Sequence, residues 1–254
     1  MTIQLWSVLA IAMPMSAMPR ARSGTMSRWL SFTSVSLFPQ ATPHRGMEGE
    51  FGHRAHCPPP ESRLKPMKTA LVIVDVQNDF CPGGALATAR GDEVASKVAE
   101  LISTADCRTH EYDSVVATQD WHIDPGAHFS EEPDFVDSWP PHCVADSYGA
   151  QIRGPVKTDL IDQFFKKGHY TAAYSGFEGV NDNDELLADW LRAQGVSHLD
   201  ICGIATDHCV RATVLDALKE GFKVTVLRGM CSPVDDKRGA HALQEMIDAG
   251  AELV

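Results

Sequence analysis

One of the seven cysteines in this chain sits where a thiol could attack a carbonyl. Cys209 follows Gly203-Ile-Ala-Thr-Asp-His208 and opens a segment of helical periodicity. A helix N-terminus carries partial positive charge and free N–H groups, which favour a thiolate and offer a seat for an oxyanion. Such a nucleophile needs a proton acceptor and a charge partner. Asp75 can serve as the first, and Lys166 or Lys167 as the second. An ammonium there would favour both the thiolate and the carboxylate. Taken singly, each residue type has an ordinary use: cysteine as a small core side chain, aspartate as a turn cap, lysine as a solvated charge. Cys202, inside an apolar run, fits that ordinary use. Cys81, Cys107, Cys143 and Cys231 have no placement comparable to Cys209, and Cys57 lies in an irregular leader.

A second group of residues has the composition of a metal site. It comprises Asp120-Trp-His122, then His128, then Trp139-Pro-Pro-His142. Residues i and i+2 of an extended chain point the same way, so Asp120 and His122 can share one ion. His142 or His128 would close the site from the following loop. A His/His/carboxylate set suits one divalent ion, zinc, iron or manganese, with positions left for water.

The elements that must position these groups are read from hydrophobic period. Thr69–Val74 is a continuous β-branched apolar run, the mark of a strand buried on both faces. Ser114–Thr118, Asp162–Phe165, His198–Gly203 and Lys223–Leu227 are further strands. Helices are predicted over Asp92–Ser103, Asp184–Gln194, Cys209–Glu220 and Asp236–Ala249, with a Pro-rich irregular stretch over Asp124–Pro155. Alternating strands and helices predict a single doubly wound α/β domain with a mostly parallel sheet and helices on both faces. In such sheets ligands bind beyond the carboxyl ends of the strands. That rule carries Asp75, Asp120, His122, the lysine pair and the Ala205–Cys209 segment to one sheet edge, although they are far apart in sequence.

Composition limits the alternatives. The formal net charge of −12 disfavours a nucleic-acid surface, which needs clustered Lys and Arg. No stretch approaches the ~20 apolar residues of a membrane helix. The cysteines form no CxxC pair, so they read as thiols of a reducing, cytoplasmic compartment. Residues 1–66 differ from the rest: they carry seven Lys+Arg against three acids and eight of the fifteen prolines, without a sustained period. They are expected to form a disordered leader, read as a signal or transit segment or as sequence upstream of a true start at Met67, leaving 67–254 as the folded domain. No G-x-G-x-x-G follows any strand, which sets a dinucleotide-binding domain aside.

Five segments carry a family resemblance. They are Asp75-Val-Gln-Asn-Asp-Phe80, Asp120-Trp-His-Ile-Asp-Pro-Gly-Ala-His128, Trp139-Pro-Pro-His-Cys143, Lys167-Gly-His-Tyr-Thr-Ala-Ala-Tyr-Ser-Gly-Phe177 and Gly203-Ile-Ala-Thr-Asp-His-Cys209. In order and type they resemble the nicotinamidase/pyrazinamidase branch of the isochorismatase-like hydrolases, from about Met67 to the C-terminus. Other members of that superfamily generally lack the metal motif. The resemblance implies an Asp75–Lys167–Cys209 triad, selecting Lys167 over Lys166 because Lys167 precedes the glycine. It implies metal ligands Asp120, His122 and His142, with His128 a fourth in some relatives. It implies a cis peptide at Ile204–Ala205, with the Ala205 and Cys209 N–H groups as oxyanion donors. The substrate wall would include Phe80, Trp139 and Tyr174, with Leu86 and Ile204 as apolar neighbours. The expected activity is hydrolysis of nicotinamide to nicotinate and ammonia in pyridine-nucleotide salvage, in a chain that is a monomer or a homo-oligomer. Another amide or vinyl-ether hydrolase of the superfamily, or a binding protein that kept the pocket, are the alternatives; the filled triad speaks against the latter.

Overall fold

In the computed structural model, residues 67–104 and 112–254 are described. The expectations placed on residues 1–66, and on Cys57 and Cys107, lie outside them. Ten regular elements follow in order: β1 Lys68–Val74, α1 Gly91–Ser103, β2 Ser114–Asp120, β3 Gln163–Lys167, α2 Leu187–Gln194, β4 Val196–Ile204, α3 Arg211–Lys219, β5 Lys223–Ser232, α4 Asp236–Asp248 and β6 Glu252–Leu253. The six strands form one sheet in the order β3-β2-β1-β4-β5-β6, and every pairing is parallel. From β1 the chain winds first toward β3, then returns to wind toward β6. Right-handed crossovers on the two sides of that reversal place helices on both faces of the sheet.

The central strands have no face left for water. Ala70 through Val74 of β1 and all seven residues of β2 are buried. This explains their unbroken Val/Ile/Ala runs, since a strand covered on both sides does not alternate. Register then brings the functional positions side by side: Val74 pairs with Thr118 and with Gly203, and Asp120 pairs with Lys167. The Val74–Gly203 contact is close enough that a Cβ on Gly203 would lie 2.0 Å from the Val74 carbonyl oxygen, and Gly203 has φ +129°. Glycine is the residue that fits there.

The structure shifts several predicted boundaries, and the shifts matter at the site. The third strand runs two residues further than predicted, so Lys166 and Lys167 lie inside it. Alternation along a strand sends them to opposite faces. Lys167 is buried, whereas Lys166 is half-exposed and rests over the Trp121 ring at 4.6 Å. The second helix begins at Leu187 rather than Asp184, because the Asn181 side chain accepts the Asn183 and Glu185 N–H groups and holds residues 181–185 in a turn. Cys209 does not open a regular α-helix; it lies in a wide turn, Thr206–Val210, that leads into α3. The two-residue β6 was too short for any period to reveal.

Candidate active site

Three strand tips and the wide turn converge on one buried ammonium. The Lys167 Nζ lies 2.5 Å from Asp120 Oδ1, 3.0 Å from Asp75 Oδ2 and 3.6 Å from Cys209 Sγ, and donates to the Ala173 carbonyl at 3.0 Å. Asp75 is the first residue past β1 and holds a left-handed φ of 48°, a conformation that aspartate tolerates better than most side chains. Its Oδ1 accepts a 2.6 Å hydrogen bond from Thr118 Oγ1. Donor atoms of Asp75, Asp120 and Cys209 all lie within 4.8 Å of one another.

Burial and charge pull against each other in this cluster. Burial alone lowers the Lys167 pKa, but Asp120 and Asp75 outweigh it, so the lysine is raised well above its usual value and stays charged. Burial raises the Asp75 pKa more than the Lys167 ammonium lowers it, and the nearby Asp120 carboxylate adds to the rise. Both members of this ion pair therefore shift upward. The reason is that one lysine serves two carboxylates: it gains from both, while Asp75 shares it. For Asp120, burial is overcome by Lys167 and the His122 and His142 side chains, and its pKa falls. Burial pushes the Cys209 thiol well up, against the pull of Lys167 and with Asp75 and Asp120 adding to the rise. Burial thus works against the thiolate that Lys167 favours, and the Asp75 carboxyl group stands beside the sulfur as a partner for its proton.

Beside this cluster, on the other oxygen of Asp120, stand three imidazoles. Asp120 Oδ2 lies 3.8 Å from His122 Nε2 and 3.9 Å from His142 Nε2. Donor atoms of His122, His128 and His142 lie within 4.8 Å of one another. The Nδ1 atoms of His122 and His142 face the carbonyls of Gly168 at 2.6 Å and Pro140 at 2.8 Å, an arrangement that directs the Nε2 atoms toward Asp120. The buried His122 Nε2 and His128 Nδ1 have no hydrogen-bond partner among the described residues. Burial brings the His128 pKa down to about 4 and also lowers that of His142. Buried imidazole nitrogens, two of them without a partner, beside a carboxylate form a donor set suited to a divalent metal ion. Gly168 is fitted to the same purpose: a Cβ there would meet the His122 ring at 2.6 Å.

A cavity opens onto both groups. Phe80, Leu86, Trp139 and Tyr174 line it, together with Ala205 and Cys209. Ile204 does not: it is fully buried in the core, because it is the last residue of β4 and packs within the sheet layer. The Ile204–Ala205 peptide is cis. The Trp139 Nε1–H donates to the Tyr174 hydroxyl at 3.1 Å, locking two walls together.

The sequence profile of the isochorismatase domain matches residues 69–254. The chain belongs to the isochorismatase family. Among its relatives, the nicotinamidase/pyrazinamidase of Mycobacterium tuberculosis is 49% identical over 185 residues, which cover 73% of this chain and 97% of that protein. The Escherichia coli nicotinamidase is 38% identical, over 72% of this chain and 93% of its own length. Among solved structures, the pyrazinamidase of Pyrococcus horikoshii in complex with zinc is 39% identical with a TM-score of 0.63, covering 74% of this chain and 98% of that one. PnC1 of L. infantum in complex with nicotinate is 34% identical with a TM-score of 0.64, over 74% and 92%.

Three residues of this isochorismatase-family site were not singled out by sequence reasoning. Thr118 looked like an ordinary strand residue, and its bond to Asp75 appears only once β1 and β2 are in register. Gln77 braces Asp120 from both sides: its Nε2 donates to the Asp120 carbonyl at 2.8 Å and its Oε1 accepts the Asp120 N–H at 2.9 Å. His208 lines the cavity between Trp139, 5.2 Å away edge-on, and Tyr174, 6.0 Å away and stacked. Its place next to Cys209 was the available signal.

Proposed function

We propose that this protein is a metal-dependent amidohydrolase that converts nicotinamide, and also pyrazinamide, to the acid and ammonia through a thioester on Cys209. The observation that carries this reading is the buried Lys167 ammonium set between the Asp75 carboxylate and the Cys209 sulfur, at 3.0 and 3.6 Å, with Cys209 lining an aromatic-walled pocket. Asp75 takes the thiol proton as the sulfur attacks the carboxamide carbon, so the proton moves from sulfur to carboxylate and the negative charge passes through the sulfur to the carboxamide oxygen, beginning within the field of Lys167. The new S–C bond leaves a tetrahedral oxyanion that the Ala205 and Cys209 N–H groups receive. A donor of this kind contributes on the order of 3 kcal/mol to lowering a barrier. Asp75 returns its proton to the departing amine, the C–N bond breaks, and ammonia leaves. Water then attacks the thioester carbon as Asp75 accepts a proton. The S–C bond breaks, Cys209 recovers its proton, and the acid departs.

Phe80, Trp139 and Tyr174 hold the flat ring and exclude bulk water from the reacting carbon. Asp120, His122, His142 and His128 would hold one zinc, iron or manganese ion, which supplies a Lewis-acid anchor for a ring nitrogen. The activity is tested by following ammonia release from nicotinamide with and without a chelator. Release that the chelator suppresses and added metal restores is the expected result; no release from the metal-loaded protein would overturn the reading.

A further inference from the structure

The helix that follows the nucleophile carries a buried hydroxyl outside the proposed mechanism. Thr213 lies in α3, one turn beyond Cys209, and is fully buried. Its Oγ1 donates to the Cys209 carbonyl at 2.7 Å. A threonine bonded four residues back is common in helices and is no sign of function by itself. The same oxygen, however, accepts the Gly176 N–H at 2.8 Å, from a segment 37 residues away in the chain. Gly176 opens the short helical turn Gly176–Glu178, and the first N–H groups of such a turn find no partner within it.

The segment that Thr213 reaches also meets the other two members of the cluster. The Ala173 carbonyl accepts from Lys167 Nζ at 3.0 Å. A Cβ on Gly176 would lie 2.7 Å from Thr118 Cγ2 and 3.3 Å from Thr213 Cγ2, so this glycine is wedged between two threonines. Thr118 is the residue that donates to Asp75. Residues Ala173–Gly176 are therefore bonded to the lysine, bonded through Thr213 to the nucleophile's backbone, and packed against the residue that holds the base. Tyr174 of the pocket wall rides on this segment, with ties of its own: its hydroxyl accepts from Trp139, and Ser175 and Glu178 cap the turn that follows.

We propose that Thr213 is a positioning residue, which fixes the Cys209 sulfur against Lys167 and Asp75 by tying the turn Thr206–Val210 to the segment Ala173–Gly176. Resting on the amidohydrolase reading above, this role gives Thr213 no contact with substrate. Without the hydroxyl, the buried Gly176 N–H loses its acceptor and the Cys209 carbonyl loses its tie across the site. The sulfur then strays from the reacting carbon while the aromatic walls keep their own bonds. Small misplacements of a reacting group are costly in rate, so the loss falls on kcat and spares KM.

Ammonia release from nicotinamide by the metal-loaded full chain, compared among the parent, Thr213→Val, Thr213→Ala and Thr213→Ser, tests this. Thr213→Val keeps the side chain's shape and should lower kcat about tenfold or more, with KM within about threefold of the parent. Thr213→Ser keeps the hydroxyl and should restore kcat to within about threefold. Alkylation of Cys209 by iodoacetamide, followed by mass spectrometry of the peptide that contains it, reads the sulfur's place beside Lys167 without an amide substrate; it should slow in Thr213→Val and recover in Thr213→Ser. If Thr213→Val does not fold, Thr213→Ala against Thr213→Ser reads the same contrast. A parent-like kcat in the variants without the hydroxyl, a loss that Thr213→Ser shares in full, a loss carried by KM alone, or unmoved alkylation would overturn the assignment. A parent that releases no ammonia, with alkylation still slowed in Thr213→Val and restored in Thr213→Ser, would overturn the amidohydrolase reading and support the positioning role.

Discussion

Replacing Lys167 by methionine removes the one positive charge from a buried cluster while keeping most of the side chain's bulk. Asp75, Lys167 and Cys209 are all buried, and Asp120 is 4% exposed. The parent cluster has one ammonium for two carboxylates; the variant has none. Breaking a buried ion pair by deleting one partner costs about 3–5 kcal/mol, because the remaining charge stays buried. For a domain of this size a loss of 1 kcal/mol lowers Tm by roughly 2–4 °C, so a fall of about 6–20 °C is expected. The pH dependence has a definite sign. Burial already holds the Asp75 pKa above its ordinary value, and Lys167 is the largest influence lowering it. Without the lysine, the folded protein takes up a proton at a pH where the unfolded chain, with a carboxylate near ~3.9, does not. Stability of the variant therefore rises as pH falls toward that unfolded value. Urea unfolding of the metal-loaded parent and variant at pH 8 and pH 6 measures both effects. A Lys167→Met protein as stable as the parent at pH 8, or a stability gap that widens on acidification, would refute the charge balance described for this site.

Cys209→Ala should abolish ammonia release from nicotinamide while metal content, measured by elemental analysis, stays at the parent level; near-normal turnover would contradict the assigned nucleophile. Thr118→Val removes the 2.6 Å hydrogen bond that favours ionised Asp75, so the acid limb of the kcat/KM profile should move to higher pH with the plateau largely kept. An unmoved limb would show that Asp75 is not the titrating base. Gly168→Ala places a methyl 2.6 Å from the His122 ring at a residue with φ +75°, and metal affinity should fall about 10–100-fold, as read by competition with a chelator.

The linear pattern of the chain already contained most of the sheet, because strands buried on both faces must be written as unbroken apolar runs and helices as stripes. It contained the residue types of the proposed site as well, because a nucleophile, a base, an ammonium and metal donors each call for particular side chains. The parallel α/β pattern was enough to place them on one edge. Residue types alone did not separate Lys166 from Lys167; the family motif chose, and the pleat of β3 shows why, turning one inward and the other over Trp121.

Other features were decided only when strands from distant parts of the chain came into register. Pairing of Val74 with Thr118 brings a hydroxyl to Asp75, and pairing of Asp120 with Lys167 makes one lysine answer to two carboxylates. The acidity of Cys209 is set at this level too: helix-end logic is local, whereas burial among two acids, which pushes the thiol up, is a property of the assembled site. The family resemblance counted Ile204 among the apolar neighbours of the substrate wall, and strand geometry turns it into the core. Sequence fixes which groups are present and the faces they occupy; distances, desolvation and shared counter-charges arise from packing, and these set the acidity of each group.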